Sequence, residues 1–183
     1  MSSNDKIDYK FAELTRVLNE GLSRMKAEAH GGNSVLLIYP PDQEEDYLQQ
    51  ARAEYSGDGY SFVNCARVLT DQVDELGGVD ELVNEIEVVG ELPKRYFKEP
   101  FVESVRDEIV SAVEEGSVPV LIRLGVLVGI VSLNRILEDT RVLSLNEQIV
   151  VLYPGIYRGG SGQLYFLNEQ REASSYRAKI IAS

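Results

Sequence analysis

The sequence has very few of the residues that most often carry out catalysis or bind metals. Among its 183 residues it contains a single cysteine, Cys65, and a single histidine, His30. One cysteine cannot form an internal disulfide. A catalytic thiol needs a base such as histidine, and two such residues are too few for a convincing zinc site. We interpret Cys65 as a buried core residue and His30, which precedes two glycines, as a residue at a helix end.

Positive charge is also scarce. The chain has 18 lysines and arginines against 30 aspartates and glutamates, and its net charge is −12. Phosphate backbones are attracted by clustered lysines and arginines, so this balance argues against direct binding to nucleic acid. An acidic chain is better suited to a basic partner.

Long apolar segments are missing as well. A membrane-spanning helix needs ~20 consecutive apolar residues. The longest candidate, residues 118–136, is interrupted by a proline, an arginine and two glycines. The first six residues lack the apolar core of a signal peptide. We therefore expect no membrane segment and a cytoplasmic location.

What the sequence does contain is two similar apolar segments. Residues 149–152 are all aliphatic and are followed by Tyr153, Pro154 and Gly155, and residues 35–38 are followed by Tyr39 and a proline. Short unbroken apolar runs are typical of strands buried on both faces, as in a parallel sheet covered by helices. We predict two neighbouring strands, with the second ending in a turn at Pro154 and Gly155.

The remaining pattern alternates strands with helices. Apolar residues recur at helical spacing over residues 4–29, further strands are predicted at 60–67 and 118–124, and a hairpin at 164–167 and 176–181. Such alternation indicates an α/β fold: a Rossmann-like three-layer structure whose mostly parallel sheet has helices on both faces and a C-terminal antiparallel hairpin. We predict one domain over residues 1–183, with an N-terminal helix within 1–32 packing on it. An alternative for this helix is docking on a partner or on a second copy of the chain, as in a homodimer.

Arg123 is the main candidate for a charged site. It lies near the carboxyl end of an otherwise apolar strand. A buried arginine needs a partner, which is a structural carboxylate, a bound anion or the carboxylate of another protein. The glycine-rich segment after Arg158 lacks the lysine of a phosphate-binding loop, and we do not predict a nucleotide site from it.

Three segments carry a resemblance to a known family. They are residues 35–41, residues 121–127, and the stretch that runs from Tyr153-Pro154-Gly155 to Tyr176-Arg177. Together they resemble the BrxB-like family of bacteriophage exclusion (BREX) systems, long described only as a domain of unknown function. The resemblance implies an accessory component of a multi-protein system that methylates host DNA and blocks phage replication. It also implies a partner, the alkaline-phosphatase-like PglZ component.

The residues agree with a role that is not enzymatic, since we find no nucleophile, acid–base pair or metal cluster with suitable spacing, and we predict no cofactor. Our candidate contacts with the partner are Tyr157, Arg158, Tyr176 and Arg177, which flank the glycine-rich segment and the predicted hairpin. Cross-strand pairing is the alternative role for each of them. The alternative function is a degenerate nucleotide-binding domain in which residues 39–42 replace a phosphate loop and Arg123 or Arg158 meets phosphate.

Overall fold

The computed structural model describes residues 3–89, 94–158, 163–167 and 177–182. Its strands are β1 (Ser34–Tyr39), β2 (Tyr60–Asn64), β3 (Val118–Ile122), β4 (Ile149–Arg158), β5 (Gln163–Phe166) and β6 (Ala178–Ile181). Its helices are α1 (Ser3–Glu20), α2 (Leu22–Glu28), α3 (Glu44–Tyr55), α4 (Cys65–Glu75), α5 (Val79–Val89), α6 (Lys94–Glu114), α7 (Asn134–Leu137) and α8 (Thr140–Leu143).

The strands form one sheet with the order β2-β3-β4-β1-β6, and β5 pairs with β4 outside this path. All neighbouring pairs along the path are parallel, and only β5 is antiparallel. Every residue of β1 is buried, as are the first seven residues of β4. These unbroken apolar runs occupy adjacent interior positions of the sheet, where helices cover both faces. The predicted α/β fold with a mostly parallel sheet is confirmed.

Alternate residues of each central strand point into two separate cores. One core joins Val35 and Leu37 of β1 to α1, α2 and α3. The other joins Leu36 of β1 and Val151 of β4 to α4, α6, α7 and α8. The sheet therefore forms the middle layer, and each strand contributes its side chains to both faces in turn.

The predicted N-terminal helix over residues 4–29 is two helices. Gly21 separates α1 from α2 and has a φ of 85°. A positive φ leaves the helical region of backbone conformation, and glycine adopts it at little steric cost. Both helices nevertheless bury apolar residues, such as Phe11 and Met25, against the sheet.

The predicted end of the fourth strand at Pro154 is wrong, because β4 continues to Arg158. Pro154 lies level with Tyr39, the last residue of β1, so the parallel ladder ends there. Beyond that point β4 pairs with β5 instead, and Leu167 donates its backbone N–H to the Pro154 carbonyl at 2.8 Å. Pro154 thus marks a change of partner rather than the end of the strand.

Gly155 is not a turn residue either, since its φ does not lie in the left-handed region. A β-carbon at this position would overlap the carbonyl oxygen of Tyr165 and lie 2.8 Å from Cε1 of Tyr153. Glycine is therefore needed because β5 crosses the backbone of β4 very closely, not because the chain turns.

The predicted hairpin between residues 164–167 and 176–181 is also wrong in its pairing. The antiparallel hairpin is made by β4 and β5, whereas β6 runs parallel to β1 with Ala178 opposite Ser34. In this position β6 covers the second edge of β1 and places Ile181 in the core beside the first two helices. The approach requires Gly32, where a β-carbon would overlap the carbonyl of Arg177.

The second strand is shorter than predicted. It ends at Asn64, whose side-chain oxygen accepts hydrogen bonds from the backbone N–H groups of Ala66 and Arg67 at 3.1 and 3.2 Å. Asparagine is a favoured N-cap residue, and α4 begins at once. Cys65 is therefore helical, and it is fully buried as predicted. Burial raises the pKa of its thiol to about 12.

Within the described ranges, none of the helices combines the length and apolar character that crossing a membrane requires.

Candidate functional site

The carboxyl edge of the sheet is the first place to look for a site. After β1 the chain passes through a 3-10 turn, Pro41–Gln43, into α3 on one face of the sheet. After β3 it enters another 3-10 turn, Leu124–Leu127, which packs on the opposite face. The point at which successive connections leave on opposite faces is where open α/β sheets usually bind ligands.

Arg123 lies at this edge, directly after β3. Its side chain reaches across β4 to the start of α3, where it donates to Glu44 at 2.8 Å and to Glu45 at 2.8 and 3.1 Å. Burial lowers the pKa of the guanidinium, but the hydrogen bonds and charges of the two glutamates outweigh this effect and raise it overall. The ion pair considered from the sequence is therefore present, and anion binding by Arg123 stays a prediction.

The backbone of Arg123 has an uncommon conformation, with φ 59° and ψ 42°. This left-handed region costs a residue with a β-carbon on the order of 1 kcal/mol, and such residues concentrate at functional sites. Here the conformation turns the chain from β3 into the 3-10 turn and aims the side chain towards α3.

The first turn of α3 is acidic. It carries Glu44, Glu45 and Asp46, at a helix end whose dipole would otherwise attract phosphate. These carboxylates repel a phosphate approaching from β1, which weighs against the nucleotide-binding alternative. The spacing of Asp42 and Glu45 suggests a capping box, but Gln43 is the N-cap residue and makes no side-chain capping bond. Glu45 instead pairs with Arg123.

The two tyrosines that follow the central apolar runs are core residues. Tyr39 is fully buried and donates its hydroxyl to Glu44 at 2.9 Å, and burial, with the charge of Glu44, raises its pKa. Tyr153 is equally buried in the opposite core and packs edge-on against Phe166, with ring centroids 5.1 Å apart. Neither ring is therefore presented to solvent at the carboxyl edge.

Lys10 is a residue whose place the sequence does not indicate. It lies on the buried face of α1, where its ammonium donates to the carbonyl of Ile38 at 2.7 Å and lies 5.7 Å from the centroid of the Tyr47 ring. Burial, and to a smaller extent the charge of Lys6, lower its pKa. Its only sequence signal is a charged residue next to Phe11 on an apolar helix face, which an exposed lysine would also give.

The last part of β4 pairs with β5 to form an antiparallel arm that extends beyond the parallel ladder. We call residues 155–158 together with 163–166 the arm. Cross-strand partners share a face, and Tyr157 with Leu164 packs towards the core. The other face carries Ile156 opposite Tyr165, with Ile156 48% exposed.

Arg158 belongs to this outer face, where its guanidinium carbon lies 5.0 Å from the centroid of the Tyr165 ring. Of the predicted contact residues, then, Arg158 is exposed and Tyr157 is half-buried. Sequence reasoning missed Ile156 and Tyr165, although strict alternation along β4 would have placed Ile156 on the same face as Arg158.

Arg177 lies far from the arm. It precedes β6 at the amino edge of the sheet, and it forms an ion pair with Glu138, to which its Nε donates at 2.6 Å. More than the full length of β1, roughly 20 Å, separates Arg177 from Tyr157 along the strand direction. Tyr176 lies outside the described residues. Of the three predicted contacts that the structure describes, Arg177 therefore does not share a patch with Tyr157 and Arg158.

In the part of the chain that the structure describes, no three histidine, cysteine, aspartate or glutamate side chains are grouped so that they could hold a metal ion. Comparison with known proteins found no match: no family model, no curated protein and no solved structure corresponds to this chain.

Proposed function

We propose that this chain is a non-enzymatic, cytoplasmic interaction component of a BREX phage-defence complex, and that it binds the phosphatase-like PglZ component of the same operon. The proposal is motivated by the resemblance of residues 35–41, 121–127 and 153–180 to the BrxB-like family. The observation that carries it is the arm, an element outside the parallel ladder that presents Ile156, Arg158 and Tyr165 together.

The arm has the composition of a protein contact. Tyrosine and arginine are enriched among the residues that dominate binding energy, and an exposed isoleucine loses unfavourable hydration when a partner covers it. Stacking on Tyr165 orders the Arg158 side chain before binding, so less side-chain entropy is lost on association. The arm can therefore act as a preorganised anchor.

The nucleotide-binding alternative receives less support from the carboxyl edge. The segment that would form a phosphate loop is followed by three carboxylates in the first turn of α3. Two of them, Glu44 and Glu45, already form ion pairs with Arg123. A nucleotide would have to displace this pairing and tolerate the repulsion of its phosphates by Asp46. An interaction role needs no such rearrangement.

Co-purification of the chain with the PglZ-type protein of its own operon tests the proposal. The variants are Ile156→Asp and Arg158→Glu on the outer face of the arm, and Tyr157→Ala on its inner face. Val79→Asp is the matched control, because Val79 is 65% exposed and lies at the start of α5 rather than on the arm.

We expect the wild type and Val79→Asp to bind the partner. Ile156→Asp and Arg158→Glu should each lower the affinity for it about tenfold or more. If the wild-type pair does not associate at micromolar concentration, the partner assignment is wrong. If all three arm variants, including Tyr157→Ala, fold and bind normally, the partner stands and the arm is not the contact surface.

A further inference from the structure

A groove lies between α1 and α3 on the outside of the molecule, and none of its lining residues belongs to the arm. It has a volume of about 350 Å³, within the range of ligand-binding clefts. Two small patches of its wall are apolar, Ile7 and Ala53, and the other lining residues are polar: Asn4, Asp8, Asp46, Gln49 and Gln50.

The lining has a definite chemical character. Asp8 and Asp46 supply carboxylates, which only accept hydrogen bonds, whereas the three carboxamides both donate and accept them. No lysine or arginine is among the residues that line it. The two lysines on the same stretch of α1, Lys6 and Lys10, are not among the lining residues, and Lys10 is turned inward to the Ile38 carbonyl.

Asp8 and Asp46 differ from the neighbouring carboxylates Glu44 and Glu45 because, among the described residues, they have no cationic partner. Glu44 and Glu45 in the same turn as Asp46 are both paired with Arg123. Among the described residues, neither Asp8 nor Asp46 forms an ion pair, and both are exposed. A concave wall that holds two unpaired carboxylates from facing helices attracts a cation that can reach both.

We propose that this groove binds an arginine side chain, together with its flanking backbone, from a basic segment of a protein partner. A guanidinium offers five donors in a planar fork, which suits carboxylates on two sides of a cleft. The peptide backbone beside it both donates and accepts hydrogen bonds, and so can pair with the carboxamides of Asn4 and Gln49, whereas that of Gln50 already donates to Glu54 at 3.1 Å. A free polyamine only donates, so it cannot accept hydrogen bonds from the carboxamide N–H groups. The net charge of −12 favours the encounter with such a segment.

The inference does not depend on the function proposed above. The groove and the arm are separate surfaces, and the basic segment is recognised by its charge and hydrogen bonding whichever protein carries it. Failure of the PglZ-type protein to bind would leave this proposal intact.

The test measures binding of a fluorescently labelled arginine-rich nonapeptide by anisotropy at about physiological salt. Asp8→Asn with Asp46→Asn removes the groove charges. The matched control, Asp58→Asn with Asp74→Asn, changes the net charge equally at two exposed positions outside the groove. Amide hydrogen exchange with and without the peptide locates the contact, and spermine serves as a competitor.

We expect the groove variant to bind the peptide about tenfold more weakly than wild type, which corresponds to ~1.4 kcal/mol. The control should change affinity less than about twofold, and the peptide should protect residues 4–8 and 46–53 from exchange. Three results would overturn the proposal: no binding to wild type at about millimolar peptide, equal weakening in groove variant and control, or displacement by spermine at matched charge concentration. Each of them would mean that only non-specific attraction, or none, acts here.

Discussion

Arg123 and Glu44 are joined by a 2.8 Å hydrogen bond, although they come from the ends of β3 and β1, which have β4 between them. The bond ties the two connections that leave the carboxyl edge on opposite faces of the sheet. The bond depends on the left-handed backbone conformation of Arg123. Substitutions at this position can distinguish the energetic effect of that conformation from the effect of the ion pair.

Replacing Arg123 by glycine should be less damaging than replacing it by alanine. Both variants lose the ion pairs with Glu44 and Glu45, but only alanine keeps a β-carbon in the left-handed region. We expect Arg123→Gly to be more stable than Arg123→Ala by about 1 kcal/mol in urea unfolding. Arg52, an exposed residue of α3, is the control: there the order should reverse, because glycine weakens a helix by about 0.5–1 kcal/mol relative to alanine. If Arg123→Ala is at least as stable as Arg123→Gly, the backbone of Arg123 is not strained.

Gly155→Ala should destabilise the protein by about 1–3 kcal/mol, because the new methyl group would overlap the Tyr165 carbonyl and press on the Tyr153 ring. Gly57→Ala is the control, since nothing lies within 4 Å of a β-carbon there and its φ is not in the left-handed region. Thermal unfolding measures both variants, and hydrogen exchange should show the loss of protection in β5 first. An unchanged melting temperature for Gly155→Ala would contradict the close approach of β5 to β4.

Cys65 should make the protein less stable at alkaline pH. In the unfolded chain the thiol has its ordinary pKa of 9.0, whereas burial raises it to about 12 in the folded protein. Below pH 9.0 both states keep the proton, so the group has no effect; between 9.0 and about 12 the unfolded state releases it first, and stability falls. The slope should approach 1.4 kcal/mol per pH unit, about the linkage value for one proton.

Denaturant unfolding at about pH 8 and about pH 10 measures this effect in wild type and in Cys65→Ala. The loss in free energy of unfolding between the two pH values should be smaller in the variant by about 1 kcal/mol. Burial also raises the pKa of Tyr55 to about 12, but its contribution is the same in both proteins. Equal pH dependence in both proteins would show that the thiol is not protected in the folded state.

ATP and GTP should be neither hydrolysed nor bound. The carboxylates in the first turn of α3 repel phosphate, and Arg123 is occupied by two of them. We expect no shift of the melting temperature in about 1 mM Mg·ATP and no phosphate release above a blank. Turnover that disappears in Arg123→Ala would restore the nucleotide-binding alternative.

The central part of the fold could be predicted from the sequence because it depends on short local runs of apolar residues. Residues 35–38 and 149–152 are aliphatic without interruption, which is typical of strands in a parallel sheet that is covered on both faces. The pairing of β6 could not be predicted, since its four residues have a pattern compatible with an antiparallel hairpin or a parallel edge. Its place beside β1 depends on the missing side chain of Gly32, which is distant in sequence.

The candidate site shows the same division. The sequence indicates that an arginine at the end of an apolar strand needs a partner, but it does not indicate which one. Glu44 and Glu45 lie in a different connection of the fold, so only the strand order brings them to Arg123. Gly155 was recognised as a special position for the wrong reason, because glycine serves both positive φ and close backbone approach, and sequence does not separate the two.

The position of β1 has a consequence for synthesis of the protein. Both of its neighbours in the sheet, β4 and β6, come from the last part of the described chain, and its contacts with them are therefore highly non-local. As the chain emerges from the ribosome, β1 has no strand to pair with until β4 has been made. The central pairing of the sheet therefore forms late. Until then an apolar strand stays unpaired, and chaperones that bind extended apolar segments would find it.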